Sequence, residues 1–171
     1  MNRPEIPKEF TPEWFRNFVN YLGGDPSKIK QNNSWKAFVK KYPELISMAM
    51  RYIEEERSAR AAYYLADVDR SLCKWAERII EDTSNAWYAF LMVEAGKSSP
   101  EWAMNIVEKK GNTFFAIKLA PYSHAIRKRA ERVIEDAKDS LSAYLMVRDC
   151  CSSPEWAEKV KKLKRLTEKR E

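Results

Sequence analysis

Glycine is scarce in this chain of 171 residues: there are four, with one adjacent pair and no Gly-Lys-Ser/Thr. A phosphate-cradling loop has nowhere to form, and neither a Gly-x-Ser-x-Gly elbow nor a His-Glu-x-x-His pair occurs. Histidine occurs once, at His124, and cysteine three times, at Cys73, Cys150 and Cys151, which is too few for the familiar four-ligand zinc sites with any redundancy. No CxxC pair exists, and an odd count that includes two adjacent cysteines fits reduced thiols better than a disulfide framework. No apolar run approaches the roughly 18 residues of a membrane span. The opening Met1–Lys8 segment lacks the apolar core of a secretory signal. The expectation is a cytoplasmic protein without membrane, metal or cofactor.

What is present is a heavily charged surface over enough apolar residues to build a core, 33% charged against 44% hydrophobic. The net charge is +6. Half of that excess falls between Glu155 and Glu171, where seven Lys/Arg face four Glu. A basic tail of this kind can meet phosphate, an acidic protein or a lipid surface. It can equally be a solvated helix end whose cations complement the macrodipole.

Self-similarity is the strongest signal. Shifting the chain by 54 residues matches 16 of 28 positions between 76–103 and 130–157 without a gap. Ala76-Glu77-Arg78 meets Ala130-Glu131-Arg132, and Ser98-Ser99-Pro100-Glu101-Trp102-Ala103 meets Ser152-Ser153-Pro154-Glu155-Trp156-Ala157. A shift of 27 uncovers a finer unit. Trp75, Trp102, Arg129 and Trp156 share one column, and Ala76, Ala103, Ala130 and Ala157 the next. Ile79, Ile106, Val133 and Val160 form another, as do Ala62, Ala89, Ala116 and Ala143. Leu65, Met92, Leu119 and Met146 follow three places after that last column.

Apolar residues at i, i+3 and i+4 in both halves of each unit indicate helices and not strands. Ser99-Pro100-Glu101, Ser153-Pro154-Glu155 and Thr11-Pro12-Glu13 read as N-caps followed by a first turn. Gly23-Gly24, Gly96 and Gly111 mark helix ends. The expected fold is all-α: an αα-hairpin repeat solenoid of 27-residue units, with about eleven short helices over 12–22, 26–41, 43–56, 58–68, 71–82, 86–96, 100–110, 113–121, 124–137, 140–150 and 154–170. One domain is expected, with an N-terminal helical cap at 1–32, repeats at 33–153 and a basic capping helix at 154–171. In that last helix Trp156, Ala157, Val160 and Leu163 are expected to face inward.

On these columns, residues 43–160 resemble a short-unit member of the HEAT-like or armadillo-like αα-superhelix class. The Ser-Pro-Glu-Trp-Ala and Ala-Tyr-Leu-Met-Val segments are also loosely similar to helical repeats in uncharacterised bacteriophage and metagenomic reading frames. The resemblance implies a scaffold that binds proteins, peptides or nucleic acid along one face, and brings no catalytic motif with it.

Candidate functional residues follow from charge and aromaticity. Glu81-Asp82 and Glu135-Asp136, with Glu77-Arg78 and Glu131-Arg132 beside them, read as polar outer faces, because helix neighbours point about 100° apart and do not oppose carboxylates. His124 reads as a surface or capping residue. Trp75, Trp102 and Trp156 offer a column that can stack bases or clamp a peptide, or can serve as apolar plates between hairpins. Trp87, Tyr88, Phe114 and Phe115 are further surface aromatics. Lys109, Lys110, Arg127, Lys128, Arg129 and Arg132 can form one basic patch, and Lys161, Lys162, Lys164 and Arg165 a second. The expected function is a non-enzymatic scaffold for a macromolecular partner, a protein before a nucleic acid.

Overall fold

The computed structural model describes residues 44–168, together with Thr11, Glu13, Trp14 and Asn17. The remaining positions of the expected cap at 1–32, and the expected helix at 26–41, lie outside the described residues. At Thr11 the hydroxyl accepts from the Trp14 amide at 3.1 Å, and Glu13 and Trp14 are helical. Among the described residues the chain forms nine α-helices and no strand.

The chain divides into two compact units, 1–83 and 84–171. The first contains α1 (Glu44–Glu56), α2 (Ala59–Val68) and α3 (Cys73–Asp82). A single 3-10 turn, Arg70–Leu72, leads into α3. The second contains α4 (Ala86–Glu94), α5 (Pro100–Lys110), α6 (Thr113–Leu119), α7 (His124–Asp136), α8 (Ser140–Cys150) and α9 (Pro154–Glu168). The helix expected over 113–121 stops at Leu119 and tightens into a 3-10 turn, Ala120–Tyr122, because Pro121 removes an amide donor.

One turn design recurs. Arg57, Ser84, Gly111 and Lys138 all have left-handed φ, between 48° and 61°, and stand 27 residues apart. Each is followed by an N-cap: Ser58, Asn85, Asn112 and Asp139 accept from the amides of Ala61, Tyr88, Phe115 and Ser142 at 3.0–3.2 Å. At three of these turns the cap residue also closes the preceding helix. The amides of Ser58, Asn112 and Asp139 reach the carbonyls of Ile53, Val107 and Ile134 at 3.1–3.2 Å. That is a Schellman closure, so one residue ends a helix and starts the next. Only one of the four left-handed positions is glycine. Arg57, Ser84 and Lys138 each carry a backbone cost of about 1 kcal/mol that a glycine would avoid.

The alanine columns lie inside. Ala62, Ala89, Ala116 and Ala143 are fully buried, as are Ala76, Ala103 and Ala130. A methyl at these positions lets short helices approach closely, while Ile80, Met92, Met104, Leu119, Ile134 and Met146 fill the space around them. Within the second unit each helix packs on its successor, and alternate helices also meet: α6 lies against both α4 and α8, and α5 against α7. Helices of seven to fifteen residues are marginal alone, so this packing stabilises them.

Two expectations change. In α9 only Val160 of the apolar set is fully buried; Trp156, Ala157 and Leu163 keep part of their surface in water. Glu77 and Glu131 are buried, not outward-facing, because each is closed over by a lysine three residues earlier. Lys74 and Lys128 donate to them at 2.8 Å, and Ser152 supplies a further 2.8 Å hydrogen bond to Glu131.

The turn design sets a test. Lys138→Gly should raise stability by about 0.5–1 kcal/mol, whereas Gly111→Ala should lower it by about 1 kcal/mol. A Cβ at Gly111 would meet nothing within 4 Å, so its loss is purely conformational. Urea denaturation of both variants checks the opposite signs.

Candidate protein-interaction surface

The charged residues are organised by a second column. Glu54, Glu81, Glu108 and Glu135 stand 27 residues apart. Trp75 donates its indole Nε1 to Glu54 Oε1 at 2.6 Å, across 21 residues. Arg129, which interrupts the tryptophan column, spans the same 21 residues. Its Nε donates to Glu108 Oε1 at 2.8 Å and its Nη2 to Oε2 at 2.5 Å. A further bond runs from Nη2 to Asn105 Oδ1 at 2.6 Å. Indole and guanidinium thus perform one task, joining a helix to a glutamate on an earlier helix. The Arg129 hydrogen bonds hold the Glu108 carboxyl below the usual glutamate range, against the opposing effect of burial, and Arg132 adds to the lowering.

The tryptophans are accordingly poor stacking platforms. Trp75 is buried. Trp102 and Trp156 are partly buried, and their indole N–H groups are buried without an acceptor among the described residues. For Trp156 the reason is visible: Glu135, in the position that serves Trp75, is taken by Lys159.

The basic candidates are similarly engaged. Arg127 donates to the Cys150 carbonyl at 2.8 Å and to His124 Nδ1 at 2.9 Å, Lys128 pairs with Glu131, and Lys161 pairs with Glu158 at 3.2 Å. Lys109, Lys110, Arg132, Lys162, Lys164 and Arg165 are exposed. Acids stand among them. A groove of about 460 Å³ is lined by Glu108, Gly111, Arg132, Val133, Asp136 and Ala137. A groove of about 300 Å³ in the first unit is lined by the residues 54 positions earlier, Glu54, Arg57, Arg78, Ile79 and Asp82. Both signs line each groove, so neither makes the one-signed footprint that a phosphate backbone selects.

The opposite chemistry appears on α4, α6 and α8. Trp87 (49% exposed), Phe114 (55%) and Leu141 (68%) occupy the same position of three successive units, two residues after the N-cap. Tyr144 (61%) stands one turn further along α8. Since α6 adjoins both α4 and α8, these side chains form a row. Beneath it Phe115 is buried, with Trp87 and Phe90 at 5.8 Å and Phe114 at 5.0 Å between ring centroids. Lys118 caps the Phe114 ring at 5.7 Å. Tyr122 and Glu94 flank the row, joined by a 2.6 Å hydrogen bond that pushes the phenol up to about 12. Of the four aromatics singled out in the sequence, Trp87 and Phe114 are exposed, Tyr88 is half-buried and Phe115 buried. Leu141 and Tyr144 were missed. Alignment of 141 with 87 and 114 was the signal that points to Leu141.

Reactive side chains are scattered. Cys73 begins α3, and Cys150 is buried, which pushes its thiol up. Cys151 is exposed. His124 is exposed as the first residue of α7, after the Ser123 cap. Among the described residues no group of three or more His, Cys, Asp or Glu is arranged to hold a metal, and no helix is long and apolar enough to cross a membrane. Compared with protein-family models, curated proteins and solved structures, the chain matches none.

The Glu108–Arg129 bridge makes a pH-dependent prediction. A double-mutant cycle with Glu108→Gln and Arg129→Met should give a coupling of about 1 kcal/mol at pH 7, reduced from a buried pair's because both side chains keep solvent contact. A carboxyl whose folded pKa is lowered contributes stability above its unfolded pKa. The coupling should therefore fade as pH drops below about 4.3 and through the lower folded value. Denaturation at pH 7 and pH 3 measures it.

Proposed function

We propose that the protein is a non-enzymatic αα-hairpin repeat scaffold, built from 27-residue units, that binds a protein partner through the Trp87–Phe114–Leu141 row. The carrying observation is that three large apolar side chains at equivalent positions stay half or more in water. Scattered exposed hydrophobics are ordinary, but a contiguous row rimmed by polar residues marks an interaction surface. Aromatic anchors flanked by Lys118, Arg148 and Asp149 match the apolar centre and polar rim of protein interfaces. Burying such a row recovers about 25 cal/mol for each Å² of apolar surface removed from water. The recurring turns, caps and alanine columns support the repeat reading, since each unit offers its neighbour the same packing surface.

Binding of nucleic acid through Lys109, Lys110, Arg132 and the α9 lysines is the competing outcome of the same experiment. A photo-crosslinking residue placed at Leu141 should trap a protein species from host extract, with a yield unchanged by nuclease. Trp87→Ser/Phe114→Ser should cut that yield at least about tenfold while thermal stability moves by less than about 1 kcal/mol, as exposed positions allow. Charge reversal at Lys109, Lys110 and Arg132 should leave it intact. Capture that requires nucleic acid, or that falls only with the charge reversal, overturns the protein-binding reading.

A further inference from the structure

The second place where the surface has an unspent pattern is α9, on the side away from the Trp87–Phe114–Leu141 row's chemistry. A shallow groove of about 570 Å³ is lined by Pro154, Glu155, Glu158, Lys159, Lys162 and Leu163. All but Leu163 are exposed, and Leu163 keeps part of its surface in water. The six follow an order along the helix: apolar, two acids, two bases, apolar.

That order is its own complement when reversed. A two-fold axis perpendicular to α9, passing between Glu158 and Lys159, carries Glu155 onto Lys162 and Glu158 onto Lys159. The same operation carries Pro154 onto Leu163. Every groove residue therefore meets a residue of opposite charge, or another apolar one, in an antiparallel copy of the same helix. An isologous interface requires this self-complementarity. A parallel pairing would set acid against acid and base against base. Helix dipoles also favour the antiparallel arrangement, because each N-terminus then lies beside the other helix's C-terminus.

We infer that α9 is a self-association surface, and that its occupant is α9 of a second copy of this chain, packed antiparallel. The single chain already uses two of the charges, since Glu158 pairs with Lys161 at 3.2 Å and Lys159 with Glu135. The Glu158–Lys161 pair is exposed, worth little by itself, and exchangeable for an intermolecular contact. Glu155 and Lys162 are the outer pair, and their contact carries the register. The contacts are mainly ionic and solvent-facing, so the dimer is weak and sensitive to salt.

Sedimentation velocity on the full chain at about 100 µM tests this without a partner. In about 50 mM salt the wild type should sediment as a dimer, and in about 1 M salt, where screening shortens to roughly 3 Å, as a monomer. Glu155→Lys alone and Lys162→Glu alone should each weaken self-association at least about tenfold, because each sets like charges opposite one another twice. Both positions are exposed, so helical circular dichroism should be unchanged. An equimolar mixture of the two variants should recover the dimer mass as a one-to-one heterodimer. A wild type monomeric in low salt, variants as dimeric as the wild type, or a mixture that stays monomeric would each overturn the inference.

Discussion

Most of this structure depends on a two-residue turn. A helix of ten residues gains too little from its own hydrogen bonds to persist in water, so it must meet its neighbour at once and in one geometry. At 57–58, 111–112 and 138–139 a left-handed residue is followed by a cap whose amide closes the last helix and whose side chain opens the next. No slack remains between helices, and the apolar stripes are delivered to each other. Two further hydrogen bonds tie a turn to its neighbours. Thr113, one residue past the Asn112 cap, donates to the Asp139 carboxylate at 2.8 Å, and the Ser142 hydroxyl donates to the same oxygen at 2.7 Å. These bonds outweigh burial and hold the Asp139 carboxyl below its usual range.

The glutamate column plays the corresponding part on the outer side. Each glutamate can receive one donor from a helix 21–24 residues later, and the donor differs: indole at Trp75, guanidinium at Arg129, ammonium at Lys159. The site is defined by its acceptor and distance, not by the side chain that fills it. This explains why an arginine stands in a tryptophan column. It also removes cations from the surface available to a ligand, so the net charge overstates what a phosphate backbone would meet. Where the acceptor is already occupied, as at Glu135, the indole of Trp156 is left buried without a partner, a cost of about 1–3 kcal/mol.

Helix positions were legible because local rules agree there. The Ser-Pro-Glu starts at Ser99 and Ser153 cap α5 and α9, and Gly96 and Gly111 adopt the left-handed conformation expected at helix ends. The ends at Arg57 and Lys138 carry no glycine and were located only by the apolar pattern running out. Glu77 and Glu131 show a different limit. Nothing in the order Ala-Glu-Arg distinguishes an outward glutamate from one covered by a lysine one turn earlier.

Composition and spacing alone settled that the chain is helical, that it repeats, and that alanines fill its closest contacts, because those properties depend on neighbours within one or two turns. Which tryptophans face solvent, which cations are already bound, and that Trp87, Phe114 and Leu141 share an open face were decided by tertiary packing. Exposure depends on which residues from distant parts of the chain come to lie over a side chain, and no local pattern carries that information.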